Sequence, residues 1–173
     1  TSATFVNFDG NFSVCSRNFT LKEPEPDSES SNVWWDAAAK YGLKEKLASK
    51  GNFAVQGEIA GARIAGNKLS LTGQELFVFN VYDINARQYL SYIDFIKFCQ
   101  DLELQTVPVV DDHFIFNHTK EQLLEMADGY YKNTKNYREG IVIRPLIERY
   151  SPKLRGRLSV KVISNKFLLK SGE

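Results

Sequence analysis

The sequence predicts an α+β domain, with antiparallel β-sheets and flanking helices. Three observations lead there. Strand-like runs outnumber helical ones, and the turns between them are local. Helical stretches are interspersed with strands without the regular βα alternation of a doubly wound parallel sheet. The glycines at 57, 61 and 66 match neither GxGxxG nor a phosphate loop.

The elements follow in order. "FVNF-DG-NFSV" is two short β-rich runs flanking Asp9-Gly10, the strongest short-range hairpin signal. "NFDG" therefore reads as a type I′ turn rather than a reactive loop, since Asn7 offers no nucleophile. "KEPEPDSESSN", residues 22–32, is rich in Pro, Ser and acids and reads as a mobile surface loop. "VWWDAAAKYGLKEKLAS" is one helix, capped by Ser31 or Asn32. "NFAVQGEIAG", "NKLSL" and "ELFVFNVYDI" read as strands. "SYIDFIKFCQDL" is an amphipathic helix, with Ile93, Ile96 and Leu102 on its apolar face. "VPVVDDHFIF" reads as another pair of short strands. "TKEQLLEMADGY" opens on a capping box, Thr119 with Gln122. "EGIVIRP" and "RLSVKVI" complete the strands.

A chain of 173 residues fits one domain and can bury a sizeable core. A net charge of +1 gives no global basic field, although Lys and Arg cluster in the last third. Cys15 and Cys99 stand far apart, which suits a reducing compartment and neither a disulfide framework nor a metal cage. No apolar run approaches the roughly 18 residues of a membrane span, and no secretory signal is expected. An intracellular, by default cytoplasmic, monomer is the expectation.

Several charged side chains sit in β-rich, apolar runs. Glu58 lies in "VQGEIAG", Glu139 in "YREGIVIRP" and Lys161 in "LSVKVISNKF". A charge there costs free energy unless it is paired or solvated. The plain structural reading is an ion pair, such as Glu139 with Arg144, and for Lys161 a strand residue facing solvent. Arg17 in "CSRN" could be an ordinary surface residue. Phe79 is either a core ring or a flat surface for a base. His113 and His118 lack matching acids or thiols and read as loop or strand residues rather than metal ligands.

Taken in order, Arg17, Glu58, Phe79, Glu139 and Lys161 resemble the motif series of the ATP-dependent RNA ligases. These belong to the covalent nucleotidyltransferase superfamily, with DNA ligases and mRNA capping enzymes. "QGEIAG", "EGIVIRP" and "KVISNKFLLK" look closest to the nick-sealing branch, whose members carry an N-terminal OB-type domain. The resemblance implies a nucleotidyltransferase domain over residues 1–173 and a role in RNA repair. It also places Thr1 of "TSAT" directly after a Lys-x-Asp-Gly loop. The nucleophilic lysine is then expected four residues before Thr1, in a segment these 173 residues lack. Some family members have Lys-x-Lys in the last motif; here the second place is Ile163, and Lys166 is the remaining candidate for a second cation.

The resemblance also implies the chemistry. A lysine attacks ATP and holds AMP, the AMP passes to an RNA 5′-phosphate, and an RNA 3′-OH displaces it. Glu58, Glu139 and Lys161 would be catalytic, and Arg17, Phe79 and Lys166 would join them in binding the nucleotide. Glu58 and Glu139 would orient the waters of Mg²⁺ or Mn²⁺. The partner would be RNA, or a nicked duplex with an RNA 3′-OH strand. Open alternatives are a DNA ligase, an mRNA guanylyltransferase and a non-catalytic RNA-binding module.

Overall fold

A computed structural model describes residues 1–25 and 32–171. These fall into two compact units, Thr1–Pro108 and Val109–Glu173.

The first unit is built on a hairpin of β1 (Ser2–Phe8) and β2 (Asn11–Cys15). The register closes at Phe8 opposite Asn11, leaving Asp9 and Gly10 as the turn. Their φ angles of 48° and 77° are the paired positive values that a type I′ turn requires. Asn52 secures the turn, accepting from the Asp9 amide at 2.9 Å and donating to its carboxylate at 3.0 Å. β3 (Thr20–Leu21), β4 (Phe53–Gly61), β5 (Gln74–Asp83) and β6 (Gln88–Tyr89) complete an antiparallel sheet of order β3-β2-β1-β4-β5-β6.

Helix α1 (Val33–Lys40) begins where the Asn32 side chain accepts from the Trp35 amide at 3.0 Å. The expected single helix is two. Gly42, at φ 59° and ψ 39°, breaks it by entering the left-handed region, and α2 (Leu43–Lys50) starts afresh. α3 (Tyr92–Asp101) follows β6. Its apolar face is set by Phe98 and Cys99, with Leu102 beyond its end; Ile93 points to solvent, contrary to the spacing argument. Phe5, Val14, Leu43, Leu47, Val55, Ile59, Leu76 and Val78 are almost wholly buried in the same core. Each such side chain contributes about 1.5–3 kcal/mol. "NKLSL" forms no strand. Asn67 bonds Leu71 through both its amide atoms, at 2.8 and 3.0 Å, and closes a turn that also needs positive φ at Asn67 and Ser70. The loop expected over residues 22–32 is described only at its ends; 26–31 lie outside the described residues.

In the second unit α4 (Lys120–Ala127) carries the expected capping box, complete in both directions. β7 (Gly140–Ile143) pairs antiparallel with β10 (Val160–Ile163). A small hairpin of β8 (Tyr150–Ser151) and β9 (Gly156–Arg157) lies between them in sequence, and α5 (Asn165–Ser171) follows. "VPVVDDHFIF" is not a strand pair but a loop: Val109, Val110, Ile115 and Phe116 are exposed. At its start, Val107 donates to the Val78 carbonyl at 2.9 Å. Among the described residues, no helix is long and apolar enough to cross a membrane.

Candidate active site

Three of the six candidate residues lie in the first unit. Strand alternation puts Val55, Gly57 and Ile59 on the core side of β4 and leaves Glu58 on the opposite face, with its side chain 49% exposed. Across the strands Glu58 lies opposite Ser2 on β1 and Phe77 on β5. The Ile59 amide donates to the Thr1 carbonyl at 2.8 Å, which ties the start of β1 to the strand beside Glu58. Next to it the β4–β5 register slips: Gln56 pairs with Asn80, but Gly57 pairs with Val78. Phe79 is the extra residue of that bulge. A bulge re-aims side chains, and Phe79 is half-buried between the buried Val78 and Asn80. The Asn80 amide donates to Gln56 at 2.9 Å and fixes the polar side of this face. Arg17 is exposed in the β2–β3 turn, which Ser16 closes onto Phe19 through both its amide and its hydroxyl.

The other three lie in the second unit. Glu139 and Lys161 form an ion pair, with side chains 48% and 54% exposed. The sequence suggested Arg144 for Glu139. Residues five apart along an extended strand face opposite ways, and the Arg144 guanidinium donates instead to Ser159 at 3.3 Å. Lys161 lies opposite Val142 on the exposed side of the β7–β10 pair. Gly140, beside Glu139, makes the pairing that close: at φ 154°, any Cβ there would lie 2.0 Å from the Val162 carbonyl oxygen.

Lys166 is on α5, and its ammonium is 3.2 Å from Asp128. That hydrogen bond and charge raise the lysine's pKa. The Asp128 carboxyl is held below its usual range, first by the Ser164 hydroxyl and then by Lys166.

Sequence reasoning missed the residues that hold this unit's charged pair. Ser164 is fully buried. Its amide donates to the Glu139 carbonyl at 2.8 Å, and its hydroxyl donates to Asp128 at 2.6 Å while accepting from Phe167. Arg138 caps the end of α4, donating to the carbonyls of Met126, Ala127 and Asp128. Neither "YREG" nor the Ser before "NKF" carried a signal of these partners. Contrary to the expectation that His113 lacks matching acids, it pairs with Asp112 in an exposed group with Asp111, while His118 stacks on Phe114.

The family model for RNA ligase matches residues 1–163. The chain belongs to the RNA ligase family. It is similar to solved structures of Naegleria gruberi RNA ligase. The one with PPi is 37% identical, with a TM-score of 0.85, and the match covers 99% of this chain and 48% of that one. A variant with ATP and Mn is 36% identical, with a TM-score of 0.86, covering 99% and 49%. A variant with AMP and Mn is 37% identical, with a TM-score of 0.84, covering 98% and 48%. The chain thus spans about half the length of these ligases. A search of curated proteins gave no match. The mixed fold with antiparallel sheets and flanking helices is that of an RNA ligase nucleotidyltransferase domain.

Proposed function

We propose that this chain is the adenylylating part of an ATP-dependent RNA ligase, joining an RNA 3′-OH to a 5′-phosphate through lysyl-AMP and RNA-adenylate intermediates. The observation that carries the reading is the β1–β4 register, which sets Ser2 opposite Glu58, with the Ile59 amide donating to the Thr1 carbonyl at 2.8 Å. A Lys-x-Asp-Gly segment entering at Thr1 would arrive beside the first glutamate of the motif series. The similarity to Naegleria gruberi RNA ligase structures with ATP, AMP and PPi supports the choice of nucleotide.

The steps follow from the residue types. The lysine before Thr1 must lose its proton to attack the α-phosphorus; pyrophosphate leaves and a P–N bond holds AMP. The RNA 5′-phosphate then displaces the lysine, and the RNA 3′-OH displaces AMP. Phe79 stacks on adenine, Glu58 accepts from a ribose hydroxyl, and Arg17 holds ribose or RNA phosphate. Lys161 opposes the charge that grows on the phosphate oxygens. Lys166 reaches a phosphate only by leaving Asp128. The carboxylates fit a hydrated cation. Among the described residues neither Glu58 nor Glu139 belongs to a set of three or more metal-ligating side chains, and Mg²⁺ keeps several waters while using few carboxylates. Bound Mg²⁺ or Mn²⁺ would neutralise phosphate charge and favour the deprotonated lysine.

RNA joining tests the reading. The natural protein, including the segment before Thr1, is expected to seal a nicked duplex with a ribose 3′-OH strand in ATP and Mg²⁺. Sealing only deoxyribose ends would indicate a DNA ligase, and GMP transfer a capping enzyme. No nucleotide transfer at all would leave an RNA-binding module.

Phe79→Ala is expected to weaken ATP binding more than it slows chemistry, by about 1–3 kcal/mol for a lost base stack. Phe79→Leu restores bulk without a flat ring, so stability recovers more than affinity. Titrating ATP onto the folded variants checks this, and unchanged affinity in Phe79→Leu returns the ring to a packing role.

A further inference from the structure

A second aromatic feature lies in the second unit, apart from the six candidate site residues. Tyr130 and Tyr137 stack with centroids 4.6 Å apart and planes 21° apart. Their hydroxyls bond at 3.2 Å, and the backbones form an isolated antiparallel bridge. Tyr130 is 56% exposed. The intervening turn is held by its own bonds: Tyr131 donates to Asn136, and the Thr134 hydroxyl donates to Tyr131 and accepts from Asn136. Arg138 fixes the far end, its amide donating to the Gly129 carbonyl at 2.9 Å. The rings are therefore ordered before any ligand arrives.

Tyr130, Thr134, Lys135, Tyr137 and Lys170 line a surface cleft of about 280 Å³. The Lys170 ammonium is 5.6 Å from the Tyr137 ring centroid. Residues 128–139 and 161–170 together hold six cations (Lys132, Lys135, Arg138, Lys161, Lys166, Lys170) and two carboxylates (Asp128, Glu139), a surplus of four, against +1 for the whole chain. An open ring beside ammonium groups is the arrangement that binds single-stranded nucleic acid: bases stack on the ring and phosphates meet the lysines.

We propose that Tyr130 and Tyr137, with Lys135 and Lys170, form a docking platform for an unpaired stretch of the RNA substrate. The ring stacks on a base, and the two lysines contact the flanking phosphates. The inference deepens the RNA ligase reading and rests on it for the identity of the strand. A peptide partner is disfavoured because the lining is mainly rings and ammonium groups rather than an apolar groove.

The test is fluorescence anisotropy of a short labelled uridine-rich single-stranded RNA on the natural protein. Self-adenylylation with ATP and the melting temperature are measured in parallel. Tyr130→Ala is expected to weaken RNA binding about tenfold or more, while Tyr130→Phe stays within about twofold because stacking needs the ring and not the hydroxyl. Lys135→Gln and Lys170→Gln should each reduce the salt slope of binding by about one. Adenylylation should be unchanged in all of them. Folded, adenylylating Tyr130→Ala with wild-type RNA affinity overturns the platform, and a peptide surface becomes the better account. Absent adenylylation in the unaltered protein together with weakened RNA binding in Tyr130→Ala supports the platform and removes the ligase reading instead.

Discussion

Replacing Glu139 or Lys161 by alanine in the natural protein is expected to cut self-adenylylation by about a hundredfold or more, with little change in melting temperature. The two effects separate because they have different magnitudes. Both side chains are about half exposed, and an exposed ion pair contributes about 0–1 kcal/mol to stability. In a protein of this size that shifts the melting temperature by at most about 2–4 °C. A preorganised charge that opposes transition-state charge on a phosphate is worth about 2.7–4 kcal/mol in rate. A structural pair would show the small change in stability and none in rate. Near-wild-type adenylylation in both folded variants would return Glu139 and Lys161 to that role.

The second large effect is on folding. Gly140→Ala would place a Cβ 2.0 Å from the Val162 carbonyl oxygen, against backbone that cannot step aside without parting β7 from β10. A φ of 154° adds strain for any residue with a side chain. Destabilisation of about 3 kcal/mol or more is expected, which corresponds to roughly 6–12 °C in melting temperature at this chain length. Adenylylation should fall with it, since the same strand pair brings Glu139 to Lys161. Thermal unfolding of the purified variant checks this; a melting temperature equal to that of the unaltered protein would contradict the close approach.

What the sequence made legible was local. Asp9-Gly10 carried its own turn chemistry, and Thr119 with Gln122 carried a cap, so both were read correctly. β4 and β5 were legible because each is a long β-rich run, although the bulge at Phe79 breaks the alternation of β5. The misreadings occurred where a tertiary contact or a side-chain bond overrode pattern. Asn67, by bonding Leu71, turned an apparent strand into a turn. Gly42 split a helix whose apolar spacing continued across it. Val109, Val110, Ile115 and Phe116 looked like buried strand residues and are exposed. In the candidate site the partners of the proposed motif residues were not legible. Lys161 is 22 residues from Glu139, and only the β7–β10 register brings them together. Ser164 and Asp128 are separated by 36 residues and are joined by the way α5 meets the end of α4.

The most direct test of the ligase reading is the covalent adduct. The natural protein, incubated with ATP and Mg²⁺ or Mn²⁺ and digested, is examined by mass spectrometry. The account predicts AMP on one lysine, four residues before Thr1, released on addition of pyrophosphate. An adduct on any other residue, or none, would contradict it.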